Sequence, residues 1–281
     1  MKKSIPRVAA LQDMSGFGRC SLTVIMPILA CMGVQVCPLP TAVLSTHSGG
    51  FGEMAFTDLT KHMKPYMAHW KSLGLYFDCI YTGFIGNEEQ IDLMTQFFQD
   101  FKQNEKQYIV VDPVMGDHGK LYRTYNLKMQ EKMKKLVQQA DIITPNPTEA
   151  SFLLGIPYEL KPRSEWELQE ILKDLAALGP KQVVITGMVN EIGKKVNIAY
   201  DKEQNQYYQV AYEEIPVSYP GTGDAFTSVL IGALLGDFNL GDAIKRATQF
   251  VLTAIQTTYE QGTDAREGIL LEKILPQLLG N

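Results

Sequence analysis

Near the carboxyl end of the chain, residues 220–226 read PGTGDAF, with Asp224 following Gly221, Thr222 and Gly223 and preceding a long apolar run. Glycines leave the backbone open, so successive N–H groups can reach a ligand oxygen with no side chain intervening. The first N–H groups of a helix lack intrahelical partners and lie at its positive end, where an anion is favoured. A helix beginning near Asp224 would hold a phosphate beside a carboxylate able to take a proton. The same residues also fit a plain helix start, with Thr222 as cap and Asp224 in the first turn. The run that follows tips the balance. Ala225, Phe226, Val229, Leu230, Ile231, Ala233 and Leu234 are apolar nearly all round, which predicts a buried central helix. A carboxylate at the tip of such a helix is a costly way merely to begin it.

PNPTEA poses a similar choice. Asn146 as N-cap, Pro147 in the first turn and Glu149 three residues after the cap make a capping box. The other reading has Asn146 and Glu149 orient a hydrated Mg²⁺ near phosphates, since Mg²⁺ keeps waters and takes few carboxylates. VVDPVMGD supplies a further acid, Asp112, at the end of an apolar run. A lone acid there is often a turn former. Asp112, Glu149 and Asp224 all fall at predicted strand ends or helix starts on one side of the predicted sheet. His47, in STHSGGFGE, has the surroundings of a solvated loop residue. Met14, Tyr81 and Phe84 fit either an aromatic ligand pocket or the core.

The elements that must position these residues alternate. RVAALQD reads as a short buried strand, LTVIMPILACMG as a helix ending at Gly33, and VQVCPLPTAVLS as extended chain interrupted by prolines. FDCIYTGFIG is a strand, EEQIDLMTQFFQDF a helix capped by Asn87 with Gln90, and YIVVDP a strand. LKMQEKMKKLVQQA (helix), DIITP (strand), TEASFLLG (helix closed by Gly155), WELQEILKDLAALG (helix) and QVVITG (strand) continue the rhythm. KVNIAYDKEQNQYYQVAY then reads as a hairpin around DKEQNQ. The helices AFTSVLIGALLG, LGDAIKRATQFVLTAIQTTY and EGILLEKILPQLL follow. This order predicts a mostly parallel sheet covered on both faces, as one domain over residues 1–281. In such sheets ligands gather beyond the carboxyl ends of the strands.

Two common nucleotide signatures fail. SGFGRC is followed by serine at position 21, where the dinucleotide fingerprint needs its third glycine, which disfavours a dinucleotide oxidoreductase. GMVNEIGKK carries one residue too many for a phosphate-binding Walker loop and ends in lysine. The 281 residues are 45% hydrophobic and 20% charged, with a net charge of −5 and scattered basic residues. This argues against a nucleic-acid surface and against attraction to anionic membranes. No apolar stretch reaches the ~18 residues of a membrane span, and the amino-terminal run is too short for a signal-peptide core. Four cysteines without metal-ligand spacing, set among apolar residues, fit reduced thiols in a cytoplasmic protein.

With these residues assembled, the chain resembles the vitamin-kinase branch of the ribokinase-like superfamily, most closely its pyridoxal/pyridoxamine kinases, with hydroxymethylpyrimidine kinases as near kin. GTGDAF resembles the anion-hole and catalytic-base motif, and DPVMGD and the Asn-x-x-Glu of NPTE follow the family pattern. STHSGG resembles the substrate loop of pyridoxal kinases, while DMSGFG is more like the opening of hydroxymethylpyrimidine kinases. The resemblance implies an α/β fold: a three-layer α/β/α sandwich with a mostly parallel central sheet and a β-hairpin addition. It implies Asp224 as base and Gly221, Thr222 and Gly223 as anion hole. Asp112 and Glu149 would manage a metal, and with Asn146 and Thr186 the nucleotide phosphates. Asp13, Ser15, His47, Ser48 and Phe84 would face the vitamin. The implied activity is ATP-dependent phosphorylation of the 5′-hydroxymethyl group of a B6 vitamer, with Mg²⁺, room for a monovalent cation such as K⁺, and a homodimer. Hydroxymethylpyrimidine kinase and a non-catalytic nucleotide- or vitamin-binding regulator are the competing readings.

Overall fold

The computed structural model describes residues 4–123 and 125–279. In chain order the elements begin with β1 (Arg7–Phe17), α1 (Leu22–Cys31), β2 (Gln35–Thr46), β3 (Phe56–Asp58), α2 (Thr60–Ser72) and β4 (Cys79–Thr82). There follow α3 (Glu88–Phe101), β5 (Tyr108–Val111), β6 (Gly116–Asp117), β7 (Lys120–Leu121), α4 (Leu127–Val137), β8 (Ile142–Ile143) and α5 (Pro147–Leu154). The chain continues through α6 (Glu165–Ala177), β9 (Gln182–Val189), β10 (Lys195–Asp201), β11 (Gln206–Tyr212), α7 (Thr222–Leu235), α8 (Leu240–Gln261) and α9 (Leu271–Ile274). Contacts divide it into two compact units, one of residues up to Ile80 and from Ile215 onward, the other Tyr81–Glu214.

In the first unit β1 and β2 pair in parallel from Arg7↔Gln35 to Phe17↔Thr46, with a bulge between Gln12 and Met14. Val8, Ala9, Ala10 and Leu11 are fully buried, as a strand covered on both faces requires. Met14–Phe17, which the sequence reading places in a loop, continue β1, because β2 runs on beside them. Pro38 and Pro40 do not interrupt β2. The Pro38 carbonyl accepts from the Tyr66 hydroxyl of α2, and β3 pairs with β2 only at Ala42–Leu44, so the prolines cost no ladder bond. The short β3 and the helix α2 lie in a stretch without an assignment from sequence. α2 is mostly polar, contains Pro65 and buries only Thr60, Met63 and Met67, so its apolar stripe is too thin to read. α7, by contrast, is buried from Ala225 to Leu234, as its composition predicts.

The second unit has strand order β11-β10-β9-β8-β5, with β8 parallel to both β5 and β9. β10 and β11 form the expected antiparallel hairpin on β9. α3 starts where the sequence predicts. The Asn87 side chain accepts from the Gln90 amide, while Gln90 Oε1 accepts from Gly86 N–H.

Candidate active site

In the first unit, the loop before α1 packs against the start of α7. The helix begins at Thr222, two residues before the position predicted, and its N-cap is Gly221. Thr222 does not cap it; its hydroxyl donates to the Tyr219 carbonyl at 3.1 Å. No side chain caps the helix, so its leading N–H groups keep the free valence that an anion can take. Gly221 adopts φ 81° and packs so tightly on the loop before α1 that a Cβ there would overlap the Arg19 carbonyl oxygen.

Asp224, in the first turn of α7, accepts a 2.7 Å hydrogen bond at Oδ2 from the Ser21 amide. Burial, reinforced by the charge of Asp13, pushes its carboxyl up to about 7. An ordinary carboxylate value of ~3.9, the natural expectation for an aspartate at a positive helix end, therefore does not apply. Burial outweighs the single hydrogen bond. Asp13, on β1 and almost fully buried, accepts from the Ser21 hydroxyl at 2.5 Å and from the Ser15 hydroxyl at 3.1 Å. Its carboxyl is also raised by burial, against those two hydrogen bonds.

His47 is not a solvated loop residue: it is buried, with both ring nitrogens engaged. Nδ1 accepts from Gly49 N–H at 3.1 Å, which assigns the proton to Nε2, 2.6 Å from the Arg266 carbonyl oxygen. Arg266 also donates to the Gly50 carbonyl and lies over the Phe51 ring. The substrate-loop candidate is thus tied to the carboxyl-terminal segment. Ser48, beside it, is exposed.

In the second unit, the loop after β5 is fastened to the start of α5. Met115 N–H donates to Glu149 Oε1 at 3.1 Å, Asn146 Nδ2 to the Gly116 carbonyl at 2.9 Å, and Gly119 N–H to the Thr148 hydroxyl at 2.9 Å. The predicted capping box is present, with Asn146 Oδ1 accepting from Glu149 N–H and Glu149 Oε2 accepting from Asn146 N–H, each at 2.9 Å. Asp112 is buried at the end of β5, its N–H bonded to the Thr82 carbonyl. Burial pushes up the Tyr125 phenol, and the charges of Glu149 and Asp112 add to the shift, which places the two carboxylates in one neighbourhood. Thr186 N–H donates to the Pro145 carbonyl, so this residue stands beside the same loop. It does so from a β-bulge in β9, where Gly187 takes φ 74° and its N–H donates to the buried Asn197 side chain. Phe84 is half-buried, whereas Tyr81 is part of the core.

These residues fit a hydrated Mg²⁺. No lysine or arginine pairs with Glu149 among the described residues, and burial raises its carboxyl, so a cation nearby would relieve an unfavourable charge. No group of three or more metal-binding side chains exists among the described residues. Replacing Asn146 with alanine removes both a cap and the tie to Gly116. We expect a loss of about 1–2 kcal/mol in urea unfolding.

Ser21, the Arg19 carbonyl, Arg266 and the amide of Met115 carry no signal in the sequence. Serine is ordinary before a helix, and the other partners act through the backbone or from more than 200 residues away.

The chain is similar to known proteins over most of its length. The sequence-family model for phosphomethylpyrimidine kinase matches residues 58–268. A Bacteroides thetaiotaomicron structure named for the same family, in a crystal form with pyridoxal, is 45% identical with a TM-score of 0.93, covering 98% of this chain and 96% of that one. Pyridoxal kinase from Lactobacillus plantarum is 33% identical, TM-score 0.89, covering 98% and 97%. The pyridoxal kinase of Arabidopsis thaliana is 30% identical over 199 residues, or 68% of this chain. That match spans 60% of the Arabidopsis protein, less than two thirds of its length. With its α/β fold, its glycine-capped buried helix and these relatives, the chain belongs to the phosphomethylpyrimidine kinase family, in the pyridoxal kinase branch of the ribokinase-like superfamily.

Proposed function

We propose that residues 1–281 act as one kinase domain that transfers the γ-phosphoryl group of ATP to the 5′-hydroxymethyl group of a B6 vitamer. The observation that carries this reading is Asp224, set at the uncapped start of a buried helix with one carboxylate oxygen held by Ser21 N–H. Phosphoryl transfer has a loose transition state, so a protein accelerates it chiefly by positioning and by stabilising charge. Asp224 accepts the hydroxyl proton, and a carboxyl pushed up to about 7 is better matched to that task at neutral pH than an ordinary aspartate. The backbone N–H groups of Gly221, Thr222 and Gly223 stabilise charge on the transferring group. Asp13, Ser15, His47, Ser48 and Phe84 face the vitamer. Asp112, Asn146 and Glu149 hold the hydrated metal, and Thr186 contacts a nucleotide phosphate. When bound, Mg²⁺ neutralises charge on the β- and γ-phosphates.

The working assembly is a homodimer, to be checked by light scattering. No described helix is long and apolar enough to cross a membrane. The deciding experiment is ADP release measured with pyridoxal, pyridoxamine, pyridoxine, hydroxymethylpyrimidine and ribose, each with and without Mg²⁺ and K⁺. Turnover is expected on at least one B6 vitamer, with Mg²⁺ required. Turnover on hydroxymethylpyrimidine alone would move the substrate to the family's other vitamin. No turnover on any of the five would leave a binding protein.

A further inference from the structure

Ser21 occupies an unusual position. It is the N-cap of α1 with φ 51° and ψ −134°, a conformation in which side chains other than glycine's are strained. Only three other non-glycine residues among those described have positive φ: His118, Asn205 and Asp237, types that visit this region more readily. A serine at an N-cap normally turns its hydroxyl back onto the helix amides. This one does not. Its hydroxyl instead donates to Asp13 Oδ1 at 2.5 Å, and its N–H donates to Asp224 Oδ2 at 2.7 Å.

We propose that Ser21 is a positioning residue for Asp224, held in its strained backbone by the hydroxyl bond to Asp13 so that its N–H fixes one oxygen of the base. The inference rests on the reading of Asp224 as base. Asp224 Oδ1 has no hydrogen-bond partner among the described residues, so a fixed Oδ2 turns the free oxygen into the one that receives the substrate proton. Asp13 is suited to the anchoring role. It is buried at the bulge of β1, between the paired residues Gln12 and Met14, and its other oxygen is held by Ser15, so both carboxylate oxygens are engaged. A glycine at position 21 would accept the same dihedrals without strain. Serine brings the anchor that glycine lacks. The strain is thus matched by a specific contact at the base, which is where such strain accumulates.

The test compares Ser21→Gly, Ser21→Ala and Asp224→Asn in the full-length protein. Ser21→Gly keeps the N–H and relieves the strain while removing the anchor, so it should fold with an unchanged or higher Tm. Its kcat should fall about ten- to a hundred-fold, with the KM for the vitamer within about three-fold of wild type, because a loosened base costs alignment rather than binding. Ser21→Ala should lose at least as much kcat and, with strain retained, some stability. A Ser21→Gly kcat within about three-fold of wild type, or a loss carried by KM, overturns the proposal while Asp224→Asn remains inactive. If Asp224→Asn itself keeps its rate, the base assignment fails first and Ser21 has nothing to position.

Discussion

Asp224→Asn should reduce kcat by about a thousand-fold while leaving nucleotide affinity within a few-fold, because it removes the proton acceptor and keeps the shape. Single-turnover phosphorylation of the preferred vitamer, with nucleotide binding measured separately, reads both quantities. The pH profile supplies an independent check. With its carboxyl pushed up to about 7, Asp224 is increasingly protonated below that pH, so kcat/KM of the wild type should fall on the acid side of neutrality. The residual activity of Asp224→Asn should lack that limb. A stability effect of opposite sense follows from the same shift. The folded state takes up a proton on Asp224 near pH 7, whereas the unfolded chain does so only near the ordinary carboxylate value of ~3.9. Between these values the folded state binds more protons, so the contribution of Asp224 to stability grows as pH falls from 7 toward 4. Above pH 7 the buried charge opposes folding, by on the order of a few kcal/mol. Asp224→Asn should therefore melt at a higher temperature than wild type at pH 8, and the difference should shrink toward pH 5. An unchanged rate, or a variant less stable than wild type at pH 8, would sink the assignment of a desolvated catalytic carboxylate.

Gly221→Ala is expected to damage both stability and catalysis. A left-handed L-residue costs roughly 1–2 kcal/mol before any collision is counted. Here the new Cβ also overlaps the Arg19 carbonyl oxygen and comes within 3.1 Å of Cys20 Cα, so the loop before α1 must move. That loop carries Ser21 and hence the hydrogen bond to Asp224. We expect a loss of about 2–4 kcal/mol in denaturant unfolding. The kcat should fall by about a hundred-fold as the N–H groups at the start of α7 lose their aim. Gly33→Ala is the control. It imposes a similar conformation, φ 77°, with nothing within 4 Å of the added atom, and should cost only the strain and no activity. Equal kcat for the two variants would show that the packing of Arg19 on Gly221 does not hold the site.

Much of this was legible in the sequence. The apolar run after Asp224 announces a buried helix, and the Asn-Pro-x-Glu pattern of residues 146–149 is a capping box in the structure as it is on paper. Both signals are local, since a helix period and a cap involve residues within four positions of one another. α2 carries no legible helical stripe, because it buries only three residues and contains a proline. Thr186 is implied by the family resemblance, but the bulge beside it depends on Asn197 of the neighbouring strand.

The residue types of the site, their order and the alternation of strands and helices were thus determined by the sequence alone. Tertiary structure decided three further things: that Asp224 titrates near neutrality, that His47 is pinned by Arg266, and that Ser21 joins two carboxylates. Each depends on desolvation or on contacts between segments distant in the chain. Burial and long-range approach are properties of the packed molecule, and no window of neighbouring residues contains them.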